Sequence, residues 1–437
     1  MNVTITPHKF CKTVSVPASK SHTIRRLLIA AFADGVSKID FPLDSSDARS
    51  CLSVCRALGA EIIEKKQSEN SAVIESWTVK GIGGAYAIAK SQQPLDVGNS
   101  GTTLFLAMAL ASLGGTPVTW TGDEQIARRS AAPLLDALQG LGVSVQSGKD
   151  GCVPFTLQGP WHGGKVSINC PTSQYLSALL LAAPLAGKGV TTQIEVPLLN
   201  EKPYIEMTLA YLEKQGVIIE KTHDFSHFSI KGACVYKPVN GGVAGDFSSA
   251  AFPACAAAVS GGTVKLLGLD PEDFQGDKAF FEMLKKMGCS VEWKTEAAAD
   301  GGKTHTVTVS GGGTLKGAEF DLNDTPDLLP AAAVLGAFAK GETRLVNAAH
   351  ARIKETDRIA VMAAELSKLG VHCTERPDGL IIQGGRPLSG GCVDGHNDHR
   401  VVMALAAAAL GAQAPITVLG AEAADITYPN FFSMFDV

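Results

Sequence analysis

Aromatic residues are scarce in this chain. They make up 6% of its 437 positions, within a hydrophobic share of 45%, so the interior has to be built from Ala, Leu, Val and Ile. Long apolar runs are missing too. Val401–Leu410 is the longest, well short of the roughly 20 residues that cross a bilayer. Met1–Phe10 carries neither a signal core nor an acylation motif. No charge of one sign dominates, and a net charge of −5 gives no electrostatic reason for nucleic acid or an acidic membrane as partner. The ten cysteines form no CxxC pair or metal-ligand spacing; Cys51 and Cys55 could share a helix face, where they read as small core residues. Walker loop, dinucleotide fingerprint and zinc motif are all absent, so neither cofactor nor metal is expected. These exclusions leave a soluble cytoplasmic protein, expected to be a monomer, that acts on small molecules.

What is present is a repeat. A short polar turn opens an Ala/Leu-rich helix that ends near a glycine, and the pattern occurs six times about 75 residues apart. The openings lie at Ser19-Lys20-Ser21, Asn99-Ser100-Gly101, Thr172-Ser173-Gln174, Gly245-Asp246, Asp324 to Asp327, and Asn397-Asp398. Each has capping residues at its start. Five copies continue into a second helix closing on motifs such as Leu58-Gly59 and Leu369-Gly370, then into strands such as Trp77–Lys80 that run into glycine. The expected unit is helix, helix, strand pair. Three copies precede Lys237–Gly242 and three follow, predicting two α/β lobes with the ligand site between them.

Charge concentrates at the helix openings. Near-apolar helices bury their bodies and leave their N-termini, which suit anions, at a lobe surface. Lys20 and Arg25, Arg128 and Arg129, Lys354 and Arg358, and Arg400 all lie at or beside such openings. In Arg352–Arg358, a helix start would set Lys354 and Arg358 four residues apart on one face, with Glu355 beside them. A solvated ion network is the plain alternative to a site there, and Asp327, taken alone, reads as a helix cap. Several basic openings on related units point instead to a small substrate with more than one anionic group.

Six such repeats resemble the enolpyruvyl transferase family. The match rests on Ser19-Lys20-Ser21 with Arg25, Gly98 to Thr102, Ser173-Gln174, Lys202-Pro203-Tyr204, Gly245-Asp246 with Ser248-Ser249, Pro326-Asp327, Lys354 to Arg358 and Asn397 to Arg400. It covers essentially the whole chain and is closest to members that act on shikimate 3-phosphate. The resemblance implies two inside-out α/β barrel lobes of three units each, residues 1–18 with 238–437 and residues 19–237, closing over a cleft. It implies transfer of enolpyruvyl from phosphoenolpyruvate, without cofactor. Lys20, Ser21, Arg25, Thr172, Ser173, Gln174, Asp327 and Lys354 would bind shikimate 3-phosphate. Lys20, Gly101, Arg129, Gln174, Arg358 and Arg400 would bind phosphoenolpyruvate. Asp327, Glu355 and Lys20 would be catalytic, with Asp327 taking the 5-hydroxyl proton and Glu355 managing the proton at the methylene carbon.

The chain departs from that family at a few positions. Ile426 stands where many members have lysine, and Glu201 where a substrate-binding serine is frequent, so Glu201 is expected to turn away from the phosphate. His350 replaces a frequent asparagine and Ser130 a usual proline. One competing reading is the sister activity on UDP-N-acetylglucosamine, whose members have Lys-Asn at Lys20-Ser21 and a cysteine that the loop Gly122–Arg129 lacks. The other is a non-catalytic relative that binds phosphorylated ligands, for which two acid–base carboxylates would be superfluous.

Overall fold

The computed structural model describes residues 1–68, 73–84, 93–148, 150–297 and 303–435. It is a mixed α/β fold of two compact units, one of Ala18–Val243 and one of Met1–Pro17 with Ala244–Val437. The junction lies past the expected one, because strand Asn240–Gly242 pairs in parallel with Val36–Asp40 and keeps residues 238–243 in the first unit. No helix among the described residues is long and apolar enough to cross a membrane.

In the unit Ala18–Val243, helices Lys20–Phe32, Gly101–Ala111 and Ser173–Ala182 are buried along nearly their whole length. Each begins at a side-chain cap: Ser19 accepts from the His22 amide, Ser100 from Thr103 and Thr172 from Gln174. Three four-stranded sheets surround them, with alternating burial along strands such as Gly164–Cys170. Each sheet has one parallel pair and two antiparallel pairs. A parallel pair needs a crossover rather than a hairpin, and in two sheets a buried helix supplies it: Gly101–Ala111 lies between Leu95–Asp96 and Val118–Thr121, Ser173–Ala182 between Gly164–Cys170 and Thr191–Leu199. Cys51 and Cys55 are fully buried on helix Ser46–Ala57.

The second unit follows the same plan. Helices Phe247–Ser260, Leu329–Phe338 and His399–Gly411 pack pairwise on one another and are apolar all round. The N-terminal residues belong here because Cys11–Ser15 pairs with Thr263–Leu267, and Asn2–Ile5 with Ile416–Leu419. Close approach explains one strand-end glycine. A Cβ on Gly384 would stand 2.0 Å from the Gly336 carbonyl oxygen and 2.5 Å from that of Ala339, so strand and helix end meet backbone to backbone. Helix Arg358–Lys368 stops at Leu369 with Gly370 at φ 88°, the left-handed turn that glycine adopts without strain.

One expected element is corrected. The charged stretch is not a helix start from Arg352: a short 3-10 turn covers Ala349–Ile353, and the helix begins only at Arg358. Asp357 caps it, accepting from the Ala360 amide at 3.0 Å, and also pairs with Arg352 at 2.6 Å. Lys354 and Arg358 therefore do not share a helical face. They converge on Asp327 by another route.

Candidate active site

In the second unit the charged residues form one buried array. Arg358, with no side-chain exposure, donates Nε to Asp398 Oδ2 at 2.8 Å and Nη2 to Asp398 Oδ1 at 3.2 Å. Its Nη1 reaches Asp327 Oδ1 at 2.7 Å, and Nη2 also serves Glu355. Arg400 Nη2 reaches Asp327 Oδ2 at 2.9 Å, and Lys354 Nζ lies 3.8 Å from Asp327 Oδ1. Asp398 in turn caps helix His399–Gly411 through the Arg400 amide at 2.8 Å and accepts the Thr356 hydroxyl at 3.2 Å. Three cations thus meet three carboxylates. Asp327 is not a helix cap: it lies within the 3-10 turn Pro326–Leu328, and two guanidinium groups hold its carboxylate.

Electrostatics follow from that packing. Burial acts to raise the pKa of Asp327, but Arg400, Lys354 and Arg358 outweigh it and hold the carboxyl well below the usual range. Burial likewise opposes the charge of Arg358, yet Asp398, Glu355 and Asp327 more than offset it. Removing one member of such a buried set costs far more than a surface pair, because the remaining charge loses its partner away from water. Asp327 keeps 19% of its side chain exposed and Glu355 11%, so both carboxylates remain reachable.

The first unit holds the other expected residues in four groups, the fourth being Thr172 and Ser173 with Glu201. Lys20 Nζ pairs with the buried Asp47 at 2.9 Å. Gly101, Arg129 and Gln174 cluster: a Cβ on Gly101 would stand 2.7 Å from Arg129 Nη1 and 3.7 Å from Gln174 Oε1. Arg25 is buried, donating Nε to Thr208 Oγ1 at 2.9 Å and further bonds to Ser177 Oγ and the carbonyls of Tyr204 and Ser21. All four acceptors are neutral. Burial lowers its pKa to about 10, with Tyr211, Tyr204 and Glu201 acting the other way.

Glu201 faces the start of helix Ser173–Ala182. Its Oε2 accepts from Ser173 Oγ at 2.7 Å, the Ser173 amide at 2.9 Å and Thr172 Oγ1 at 3.2 Å. The other departures are structural in character. His350 Nε2 hydrogen-bonds the Asn323 carbonyl at 3.0 Å, and Ile426 packs on the hydrophobic core, offering no cation. Asp47, Asp398 and Asp277 were not picked out as site residues in the sequence. Asp398 had a visible signal, since it stands inside the Asn397–Arg400 motif. Asp277 is fully buried and accepts the Ser248 hydroxyl; burial, then the charge of Asp327, pushes it up to about 7 against the pull of Arg400. Concavities lined by Lys165, Glu195 and His227, and by Asp270, Lys303 and His305, contain none of the expected residues.

Clustered cations at helix starts, with two reachable carboxylates among them, suit small polyanions and acid–base chemistry. The comparisons make the class particular. Residues 5–435 match the family EPSP synthase (3-phosphoshikimate 1-carboxyvinyltransferase). A 3-phosphoshikimate 1-carboxyvinyltransferase of Acetivibrio thermocellus is 45% identical over 419 residues, covering 96% of this chain and 93% of that one. Another, from Methanocella arvoryzae, is 43% identical, covering 96% and 94%. The solved EPSP synthase of Acinetobacter baumannii superposes with a TM-score of 0.80 at 28% identity, covering 99% of this chain and 97% of that one. The chain belongs to the EPSP synthase family.

Proposed function

We propose that the chain transfers the enolpyruvyl group of phosphoenolpyruvate to the 5-hydroxyl of shikimate 3-phosphate. The products are 5-enolpyruvylshikimate 3-phosphate and phosphate, on the route to chorismate and the aromatic amino acids. Family membership over nearly the whole chain supports this reading. The observation that carries the chemistry is the sharing of Arg358 by two carboxylates, Asp327 and Glu355. An enol ether carbon is attacked only as its neighbour is protonated, so a base and an acid must act together on different partners.

The roles are assigned residue by residue. Asp327 takes the proton of the 5-hydroxyl, the oxygen attacks C2 of phosphoenolpyruvate, and Glu355 delivers a proton to the methylene carbon. A tetrahedral intermediate results. Glu355 then recovers a proton from the new methyl group while the bond to the phosphate oxygen breaks, restoring the double bond. Lys20 assists beside both substrates. Ser21, Arg25, Thr172, Ser173, Gln174 and Lys354 hold shikimate 3-phosphate, while Gly101, Arg129, Gln174, Arg358 and Arg400 hold phosphoenolpyruvate. With its carboxyl held so low by cations, Asp327 is a weak base until substrate anions draw Arg400 and Arg358 toward themselves. Binding of phosphoenolpyruvate thereby strengthens the base that the reaction needs.

Five four-stranded sheets and one of three strands support six units in two inside-out barrels. The chain is proposed to be a cytoplasmic monomer, and its net charge gives no electrostatic reason for a nucleic-acid or membrane partner. The deciding assay is phosphate release. It should require shikimate 3-phosphate and phosphoenolpyruvate together. Silence with both at saturation refutes the activity, and turnover with UDP-N-acetylglucosamine instead assigns the chain to the sister reaction.

A further inference from the structure

Glu201 occupies a position that suits an anion. Helix Ser173–Ala182 presents its N-terminus there, and one oxygen of Glu201 collects the Ser173 amide, the Ser173 hydroxyl and the Thr172 hydroxyl. The carboxylate is 2% exposed, and its backbone stands at φ 58°, ψ 44°, a left-handed conformation unusual for a residue with a side chain. That conformation starts helix Lys202–Lys214, the same helix whose Tyr204 carbonyl and Thr208 hydroxyl accept from Arg25. Among the described residues the hydrogen bonds of Arg25 run to neutral groups, and Glu201 is a carboxylate that favours its charge, behind Tyr211 and Tyr204.

We infer that Glu201 is a resident anion of the substrate-phosphate subsite, which holds the Thr172 and Ser173 donors in the empty enzyme and must be neutralised or displaced when the 3-phosphate of substrate arrives. This rests on the assignment of Thr172 and Ser173 to shikimate 3-phosphate. Three donors on one oxygen cannot serve a second anion at the same time. Two like charges placed beside one another also disfavour each other's ionised forms. The residue therefore sets how strongly the phosphate is recognised, while it gives buried Arg25 an opposite charge in the absence of ligand.

Other charged and titratable groups lie near Glu201. Arg25 faces it from helix Lys20–Phe32, and Cys170 from the strand ending before Thr172; Lys202, Tyr204 and Tyr211 lie on its own helix. His22 hydrogen-bonds the Tyr211 hydroxyl at 2.7 Å one contact further out. Cys170 stays neutral, its thiol pushed to about 12 chiefly by burial.

The test is calorimetric binding of shikimate 3-phosphate to the full chain, to Glu201→Gln and to Glu201→Ser at about pH 8, well above the carboxylate range. Both variants should bind about tenfold more tightly than the native chain. Thermal unfolding of both without ligand should fall, since Arg25 loses its opposite charge. Equal or weaker binding by both variants overturns the role of Glu201 while leaving the substrate assignment standing. Failure of native chain and variants alike to bind shikimate 3-phosphate overturns that assignment and this inference with it.

Discussion

Arg358 and Asp398 meet as two charges with no side-chain exposure, the guanidinium holding both carboxylate oxygens at 2.8 and 3.2 Å. The pair joins two helix starts, because Arg358 is the first residue of Arg358–Lys368 and Asp398 caps His399–Gly411. The site array is thereby fixed to the core of its unit.

Arg358→Lys should break this array while preserving one positive charge. A lysine ammonium cannot span Asp398, Asp327 and Glu355, whereas the planar guanidinium does so from three nitrogens. Two buried or nearly buried carboxylates would be left short of a partner. Urea unfolding should show a loss on the order of 3 kcal/mol, together with at least a tenfold fall in kcat/KM for phosphoenolpyruvate. A shift within experimental error would mean that the array is not held by Arg358.

Asp327→Asn tests the base. The amide keeps the shape but cannot accept the proton, so kcat should drop by about 10²–10⁴, with the KM for shikimate 3-phosphate changing far less. The pH dependence carries a sign. Asp327 is depressed in the folded chain, so its contribution to stability is present above the unfolded carboxyl value and is lost only as pH falls through the lower folded one. Acid unfolding of the native chain should therefore steepen below about pH 4, and the variant should lose that component.

Much of this was legible in the sequence because helix punctuation and apolar patterning are local. Ser19, Ser100, Thr172, Asp246 and Asp398 all cap the helices whose openings they mark. What the pattern could not show is which side chains meet across separate elements. The spacing of Lys354 and Arg358 suggested one helical face, yet a break at Asp357 separates them and Asp327 brings them together. Glu201 was judged by its charge alone. Its placement on Thr172 and Ser173 depends on a left-handed turn that no propensity for glutamate announces.

Gly101→Ala should act through its neighbour. The new methyl would stand 2.7 Å from Arg129 Nη1, too close to tolerate, but the clash is with the end of a long side chain rather than with backbone. Arg129 should therefore shift and the fold should survive. The expected result is a several-fold rise in KM for phosphoenolpyruvate with thermal stability nearly unchanged. A large stability loss would instead place the clash in the helix packing around Phe105, whose ring lies 3.7 Å from the same methyl position.

Asp277→Asn tests a titrating group that the proposed chemistry does not use. Burial, reinforced by the charge of Asp327, raises this carboxyl to about 7 in the folded chain, so between the ordinary carboxylate value and that point the native state binds a proton the unfolded state has released. Stability must then fall as pH rises through this window: the penalty is absent below about pH 4, grows toward pH 7 and is complete above it. Its size is on the order of 4 kcal/mol at most, at about 1.4 kcal/mol per pH unit over the roughly three units of the window. An asparagine can still accept from Ser248 through its amide oxygen, and it removes the titration. The variant should gain stability over the native chain at pH 8, by urea unfolding, and lose that advantage near pH 4. Parallel stability curves for the two proteins would show that Asp277 stays ionised in the fold, with Arg400 compensating its charge.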